Sequence, residues 1–259
     1  MKVVILAGGK GTRISEESVL RPKPMVKIGD KPILWHIMKS YSDYGFNEFI
    51  VCCGYKGQMI KEYFLKYLVN STDVQFKLDT NEVNVLSDYK LDWKVTLANT
   101  GLRTLTAGRI LRIRDYIGDD EEFMLTYGDG VSDVDINALI DFHHAHGTVG
   151  TITTTQPPGR FGAIKIDDET GRILHFKEKA RADSSWVNIG FMVFNRRIFD
   201  YLGDGSEMLE TAPFEQLALE GELSAYKHYG FWSPMDTVHD RDYLENLWRN
   251  GAPWVKHQE

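Results

Sequence analysis

Val3–Gly8 is an unbroken apolar, largely β-branched run that ends directly in glycines. A strand with no polar alternation is buried on both faces, as in parallel sheets covered by helices on either side. The residues that follow keep to that pattern. Lys31–Tyr44 carries Ile33, Leu34, Ile37, Met38 and Tyr41 at helical spacing, with Pro32 where a first turn tolerates it. Glu48–Cys53 reads as a strand, Gln58–Leu68 as a helix, and Val74–Leu78 and Val95–Asn99 as further strands around a polar insertion, Thr80–Trp93. Ala107–Ile117, Glu122–Tyr127, Asp133–His146 and Thr148–Thr155 continue as helix, strand, helix, strand. Alternation of this kind predicts βαβ units with right-handed crossovers: an α/β fold around one doubly wound, mixed but mostly parallel sheet.

After Pro157-Pro158-Gly159 the character changes. Phe161–Asp167, Arg172–Glu178 and Val187–Asn195 are strand-like, and helices resume at Arg196–Leu202, Pro213–Glu220 and Asp240–Arg249. No repeat or linker separates independent domains, so residues 1–259 are expected to form a single domain. Its larger half is 1–155 and its smaller mixed portion 156–259. Ligands of such sheets bind at the carboxyl ends of the strands.

The charge balance narrows the partners. With 30 Lys+Arg against 37 Asp+Glu, the net charge of −7 argues against nucleic-acid binding and against docking on an anionic membrane. No apolar run approaches the roughly 18–20 residues of a spanning helix, and Met1 leads into a strand rather than a signal peptide. The only cysteines, Cys52 and Cys53, are strand neighbours that point to opposite faces. They read as two buried thiols, which suits a reducing, cytoplasmic setting.

The chemistry should lie at Leu6-Ala7-Gly8-Gly9-Lys10-Gly11-Thr12-Arg13, directly after the first strand. Glycines let backbone N–H groups approach and cradle a phosphate. The spacing does not match a P-loop, and a dinucleotide fingerprint would want glycine where Ile14 stands. Six basic residues against three acids between Met1 and Asp30 give a local surplus of positive charge. Within it, Pro22 and Pro24 bracket Lys23, presenting the ammonium with little freedom to lose. A point-charge lysine and a forked arginine beside a glycine loop suit a triphosphate. Asp129, in Gly128-Asp129-Gly130 at a strand end, can reach a phosphate-held Mg²⁺; Asp236 is a candidate second carboxylate or a helix cap. His143, His144 and His146 read as structural residues at a helix end before Gly147, and Phe231 and Trp232 as core packing.

Leu6–Arg13, Pro22-Lys23-Pro24, Gly128-Asp129-Gly130, Glu178-Lys179 and Asp236 together resemble the sugar-1-phosphate nucleotidyltransferases. The likeness covers essentially the whole chain, through Lys31–His36, Cys52–Gly57, Pro157–Gly162 and Gly230–Trp232. It is nearest to those members that join CTP and α-D-glucose 1-phosphate into CDP-glucose, releasing pyrophosphate. The resemblance implies a Rossmann-like nucleotidyltransferase fold with residues 1–155 mainly holding nucleotide and 156–259 mainly sugar phosphate. It implies that Leu6, Ala7, Gly8, Gly9, Gly11, Thr12 and Arg13 hold the nucleotide, and that Arg13 and Lys23 are catalytic, Lys23 facing the reacting α-phosphate. Thr104 and Arg109 would contact the nucleotide and its cytosine, and Gly128 would line the nucleoside site. Asp129 and Asp236 would hold Mg²⁺, Lys179 the sugar phosphate, and Asn188 with Gly190 the sugar hydroxyls. A homo-oligomer is implied as well, and Ile14–Leu20 has the length of a flap or of an arm reaching a neighbouring subunit.

Overall fold

The computed structural model describes residues 1–11, 20–86, 91–157, 163–166, 173–177 and 186–256. In chain order its strands are β1 (Lys2–Ala7), β2 (Lys27–Ile28), β3 (Lys31–Pro32), β4 (Glu48–Cys53), β5 (Val74–Lys77), β6 (Glu82–Val85), β7 (Lys94–Asn99) and β8 (Glu122–Tyr127). They continue as β9 (Gly130–Ser132), β10 (Gly150–Thr155), β11 (Ala163–Ile166), β12 (Ile173–Lys177), β13 (Val187–Asn188), β14 (Met192–Asn195), β15 (Leu223–Lys227) and β16 (Trp232–Pro234). The main sheet runs β7-β4-β1-β8-β14-β10, with β13 beside the far end of β10 and β15 along its other edge. Pairings along it are parallel except those made by β13 and β14.

Strand β1 is central, and its residues divide between two cores. Val3, Ile5 and Ala7 pack with Ile37, Met38 and Tyr41 of the helix Ile33–Ser42, whereas Val4 packs with Ile110, Ile113 and Phe194 on the other face. Burial on both faces explains why this strand carries no polar alternation. The doubly wound sheet expected from the sequence is the one observed. Cys52 and Cys53 separate in the same way, one into each core, as unpaired buried thiols. Burial pushes Cys52 up to about 12 and Cys53 up to about 11.

From β1 the chain builds outward on one side through β4 and β7, then returns to the other side of β1 as β8. This reversal opens a crevice at the carboxyl ends of β1 and β8, where open α/β sheets bind ligands. The two strands stay in register to Leu6 and Tyr127, and the Gly128 amide donates to the Leu6 carbonyl at 3.0 Å.

Several elements differ from expectation. Val74–Lys77 forms a strand but leaves the main sheet, pairing antiparallel with β6 inside the stretch expected to be an insertion; residues 87–90 of that stretch lie outside the described residues. The helix expected over 107–117 is two, Thr106–Arg112 and Arg114–Ile117, because Ile113 has left helical geometry at φ −104°. The strand expected over 187–195 is interrupted where Gly190 and Phe191 take φ of +81° and +48°. Arg196–Tyr201 is a 3₁₀ helix rather than an α-helix. Strands β15, β9 and β16 had no strong sequence signal, since each is short and defined by partners far away in the chain. Among the described residues, no helix is long and apolar enough to cross a membrane.

Candidate active site

Lys23 stands in a single 3₁₀ turn, Lys23–Met25, entered from an extended Pro22 and closed by Met25 N–H donating to the Pro22 carbonyl at 2.8 Å. The two prolines fix this turn, and the lysine side chain is only 8% exposed. Its Nζ lies 2.6 Å from Asp129 Oδ2 and 2.5 Å from Asp236 Oδ1. A nearly buried ammonium is tolerable because two carboxylates flank it.

Those carboxylates are 107 positions apart, and a short ladder brings them together. Asp129 precedes β9 and Asp236 follows β16; the strands pair antiparallel with Gly130 opposite Pro234, and Met235 N–H donates to the Asp129 carbonyl at 2.8 Å. Asp236 is not the helix cap. Thr237 caps the helix Val238–Arg249 in a reciprocal box with Asp240, whose Oδ2 also accepts from the Asp236 amide at 2.9 Å. The Asp236 carboxylate is thereby released toward Lys23.

Beside this trio a cavity of about 320 Å³ opens over the carboxyl ends of β1 and β8. Leu6, Gly9, Gly11, Lys23, Gly128 and Asp129 line it, as do Thr104 and Arg109 from the segment after β7. These are residues singled out by sequence, and the fold brings them to one place. The glycines have unequal reasons for being glycine. A β-carbon on Gly9 would meet nothing within 4 Å, so its backbone is open to a ligand. Gly11 adopts φ +63°. Gly8 is covered by Arg109, whose guanidinium rests on it. Gly128 leaves room for only 2.9 Å between an added β-carbon and the Leu6 carbonyl. Ala7 is a core residue, 1% exposed, with only its backbone near the site.

Arg109 is more deeply engaged than a simple base contact requires. Its Nη1 donates to Thr100 Oγ1 at 2.6 Å and to the Gly101 carbonyl at 2.9 Å, and Nη2 donates to the Gly8 carbonyl at 3.0 Å. It ties the loop after β1 to the end of β7 while forming part of the cavity wall. Asn188 stands one hydrogen bond behind the cavity-lining Tyr127, and Gly190 one bond further: Asn188 Nδ2 donates to Tyr127 Oη at 3.1 Å, and Gly190 N–H to Asn188 Oδ1 at 3.0 Å. Thr12, Arg13 and Lys179 lie outside the described residues, as does 14–19 of the expected flap.

Sequence reasoning missed other lining residues. Thr106, Tyr127 and Met208 line the cavity as well, and Glu210 behind them accepts from both hydroxyls. No motif announces Glu210, which falls in an ordinary polar loop. The histidines are structural as expected: His143 pairs with Thr151 Oγ1 and His144 with Glu122, at the end of a helix closed by Gly147. Phe231 stacks on Trp254 at 5.8 Å.

The crevice at the strand reversal, the glycine loop and the bracketed lysine agree with one relationship found by comparison. A profile of the nucleotidyl transferases matches residues 2–240. The chain belongs to the nucleotidyl transferase family. This nucleotidyltransferase is 52% identical over 255 residues to the glucose-1-phosphate cytidylyltransferases of Salmonella typhi and Salmonella typhimurium, with 98% of each chain covered. The crystal structure of HddC from Yersinia pseudotuberculosis matches at a TM-score of 0.67 and 22% identity, over 95% of this chain and 99% of that one. That likeness concerns the fold.

Proposed function

We propose that this nucleotidyltransferase joins CTP to α-D-glucose 1-phosphate, giving CDP-glucose and pyrophosphate. The observation that carries the reaction type is the convergence of Asp129 and Asp236 on one cation position, occupied by the Lys23 ammonium, at the mouth of a glycine-walled cavity. The choice of CTP and glucose is supported by the extent of the likeness to the Salmonella enzymes.

Among the described residues no group of three or more His, Cys, Asp or Glu could hold a metal. Two carboxylates that converge on one point, joined among the described residues by no third His, Cys, Asp or Glu, suit Mg²⁺, which takes its remaining ligands from phosphate and water. Bound there, Mg²⁺ supplies neutralisation of the triphosphate charge. The protein does the rest. A phosphate oxygen of the sugar phosphate is already an anionic nucleophile, so no general base is needed. It forms the new P–O bond at the α-phosphorus while the bond to the β-phosphate breaks and pyrophosphate carries away the electron pair. Lys23, Arg13 and the amides of the Gly9–Gly11 loop neutralise the charge that builds on this leaving group and hold the attack in line. Thr104 and Arg109 face the nucleotide, while Asn188, Gly190 and Lys179 face the sugar phosphate. On this reading residues 1–155 mainly hold nucleotide and residues 156–259 mainly sugar phosphate.

A cytoplasmic homo-oligomer belongs to the same reading. The two unpaired thiols support the compartment. Self-association is supported by the β5–β6 hairpin, whose paired Val74 and Val85, and Phe76 and Val83, share one apolar and largely solvent-facing side.

Pyrophosphate release with Mg²⁺ and glucose 1-phosphate, run in parallel with CTP, UTP, dTTP, ATP and GTP, tests the proposal. Release with CTP far above the others is expected. Preference for another nucleotide overturns the base assignment, and no release with any overturns the sugar phosphate.

A further inference from the structure

The polar chain behind the cavity wall has a direction. Glu210, half-buried, receives the Tyr127 hydroxyl on Oε1 at 2.6 Å and the Thr106 hydroxyl on Oε2 at 2.8 Å. A carboxylate only accepts, so both protons point at Glu210. The Tyr127 oxygen, having given its one proton away, can only accept from its other neighbour, Asn188 Nδ2, at 3.1 Å. At the far end Gly190 N–H can only donate, and it does so to Asn188 Oδ1 at 3.0 Å. The Asn188 amide is therefore held in one orientation from both ends, with its second Nδ2 proton uncommitted to either.

Glu210 itself is held firmly. Its segment lies on the helix Thr106–Arg112 through a close glycine contact: a β-carbon on Gly108 would stand 2.5 Å from the Gly205 carbonyl, and one on Gly205 would stand 2.7 Å from Gly108 Cα. Leu209 N–H also donates to Thr106 Oγ1 at 2.7 Å. Burial, followed by the Glu210 charge, holds the Tyr127 phenol above its ordinary range, so the proton stays in place.

We propose that Glu210 is a positioning residue that acts through Tyr127 to fix the Asn188 amide, and thereby sets recognition of the sugar hydroxyls. This rests on the reading of Asn188 as a sugar contact. The Thr106 bond anchors the carboxylate to its helix, and the Tyr127 bond carries its effect to Asn188 among the sugar contacts.

The test is a kinetic cycle. Glu210→Ala should raise the KM for glucose 1-phosphate about 10-fold, as expected when a partly buried polar chain loses its acceptor. The KM for CTP and kcat should change less than twofold. Glu210→Gln keeps an acceptor for the Tyr127 proton and should restore most of the loss. Tyr127→Phe should reproduce the Ala phenotype, and the double variant should add nothing to either. Equal rises in both KM values, failure of the Gln variant to rescue, or multiplicative effects in the double variant would overturn the proposal. If the wild-type enzyme turns over a different nucleotide and sugar phosphate, the substrate reading falls and the same cycle is run on that pair. If it turns over none, the cycle is read in thermal unfolding, where sub-additive Tm losses support the relay and additive losses overturn it.

Discussion

The guanidinium of Arg109 lies so close against Gly8 that a β-carbon at position 8 would stand 2.1 Å from Nη1 and 2.3 Å from Cζ. The glycine that opens the loop is thus required by a side chain from the segment after β7, whereas Gly9, one position on, faces open space. The two glycines are separable by experiment.

Gly8→Ala must expel the guanidinium from its bonds to Thr100, Gly101 and Gly8, and should destabilise the fold by about 2–3 kcal/mol. Gly9→Ala should leave urea unfolding within about 0.5 kcal/mol of wild type while weakening nucleotide binding. Equal stability losses for the two variants would contradict this division.

Lys23→Ala should cost roughly 3–4 kcal/mol of transition-state stabilisation, a fall of a few hundredfold in kcat/KM. Without nucleotide the same variant should bind Mn²⁺ more tightly than wild type in calorimetry, because the ammonium and a divalent ion compete for the Asp129 and Asp236 oxygens. Unchanged or weaker Mn²⁺ binding would show that the ion lies elsewhere.

His36 gives the fold a defined response to acid. It is buried among Trp35, Trp248 and Trp254; Nε2 bonds the Ile28 carbonyl at 2.9 Å, and Nδ1 accepts from Trp254 Nε1 at 3.4 Å. Burial lowers it from the ordinary 6.5. The unfolded chain then takes up its proton first, so the contribution to stability is complete above pH 6.5 and is lost as the pH falls below it. His143, also lowered by burial, acts in the same sense. Tm should fall between pH 7.5 and 5.5, and His36→Gln should flatten that fall. Parallel profiles for the two proteins would remove His36 from the account.

The exposed apolar side of the β5–β6 hairpin gives the oligomer its own test. Light scattering should return a multiple of the 29.6 kDa chain, and Phe76→Asp with Val83→Asp should move the distribution toward the single chain without lowering Tm. A wild-type protein that scatters as one chain would rule the assembly out.

Local chemistry made half of this site legible. The β1 run could only be a doubly covered strand, and two prolines around Lys23 could only present it rigidly. Asp129 was visible as a carboxylate between glycines at a strand end. Asp236 remained ambiguous because a cap and a ligand look alike in sequence; Thr237 resolves it by taking the capping role. Glu210 was invisible because its partners, Thr106 and Tyr127, are 104 and 83 residues away. Strand β15 escaped for the same reason: its identity lies in β10, which the local pattern does not contain.

The pairing of β9 with β16 also orders the site in time. Gly130–Ser132 has no partner for its ladder until Trp232–Pro234 has been synthesised, and Asp236 comes just behind it. A nascent chain leaving the ribosome can form β1, the glycine loop and the Lys23 turn early, yet it owns only one of the two carboxylates. The cavity wall is as late, since Met208 lines it beside Gly9 and Lys23, so neither the pocket nor its pair of carboxylates is complete until most of the chain has been made.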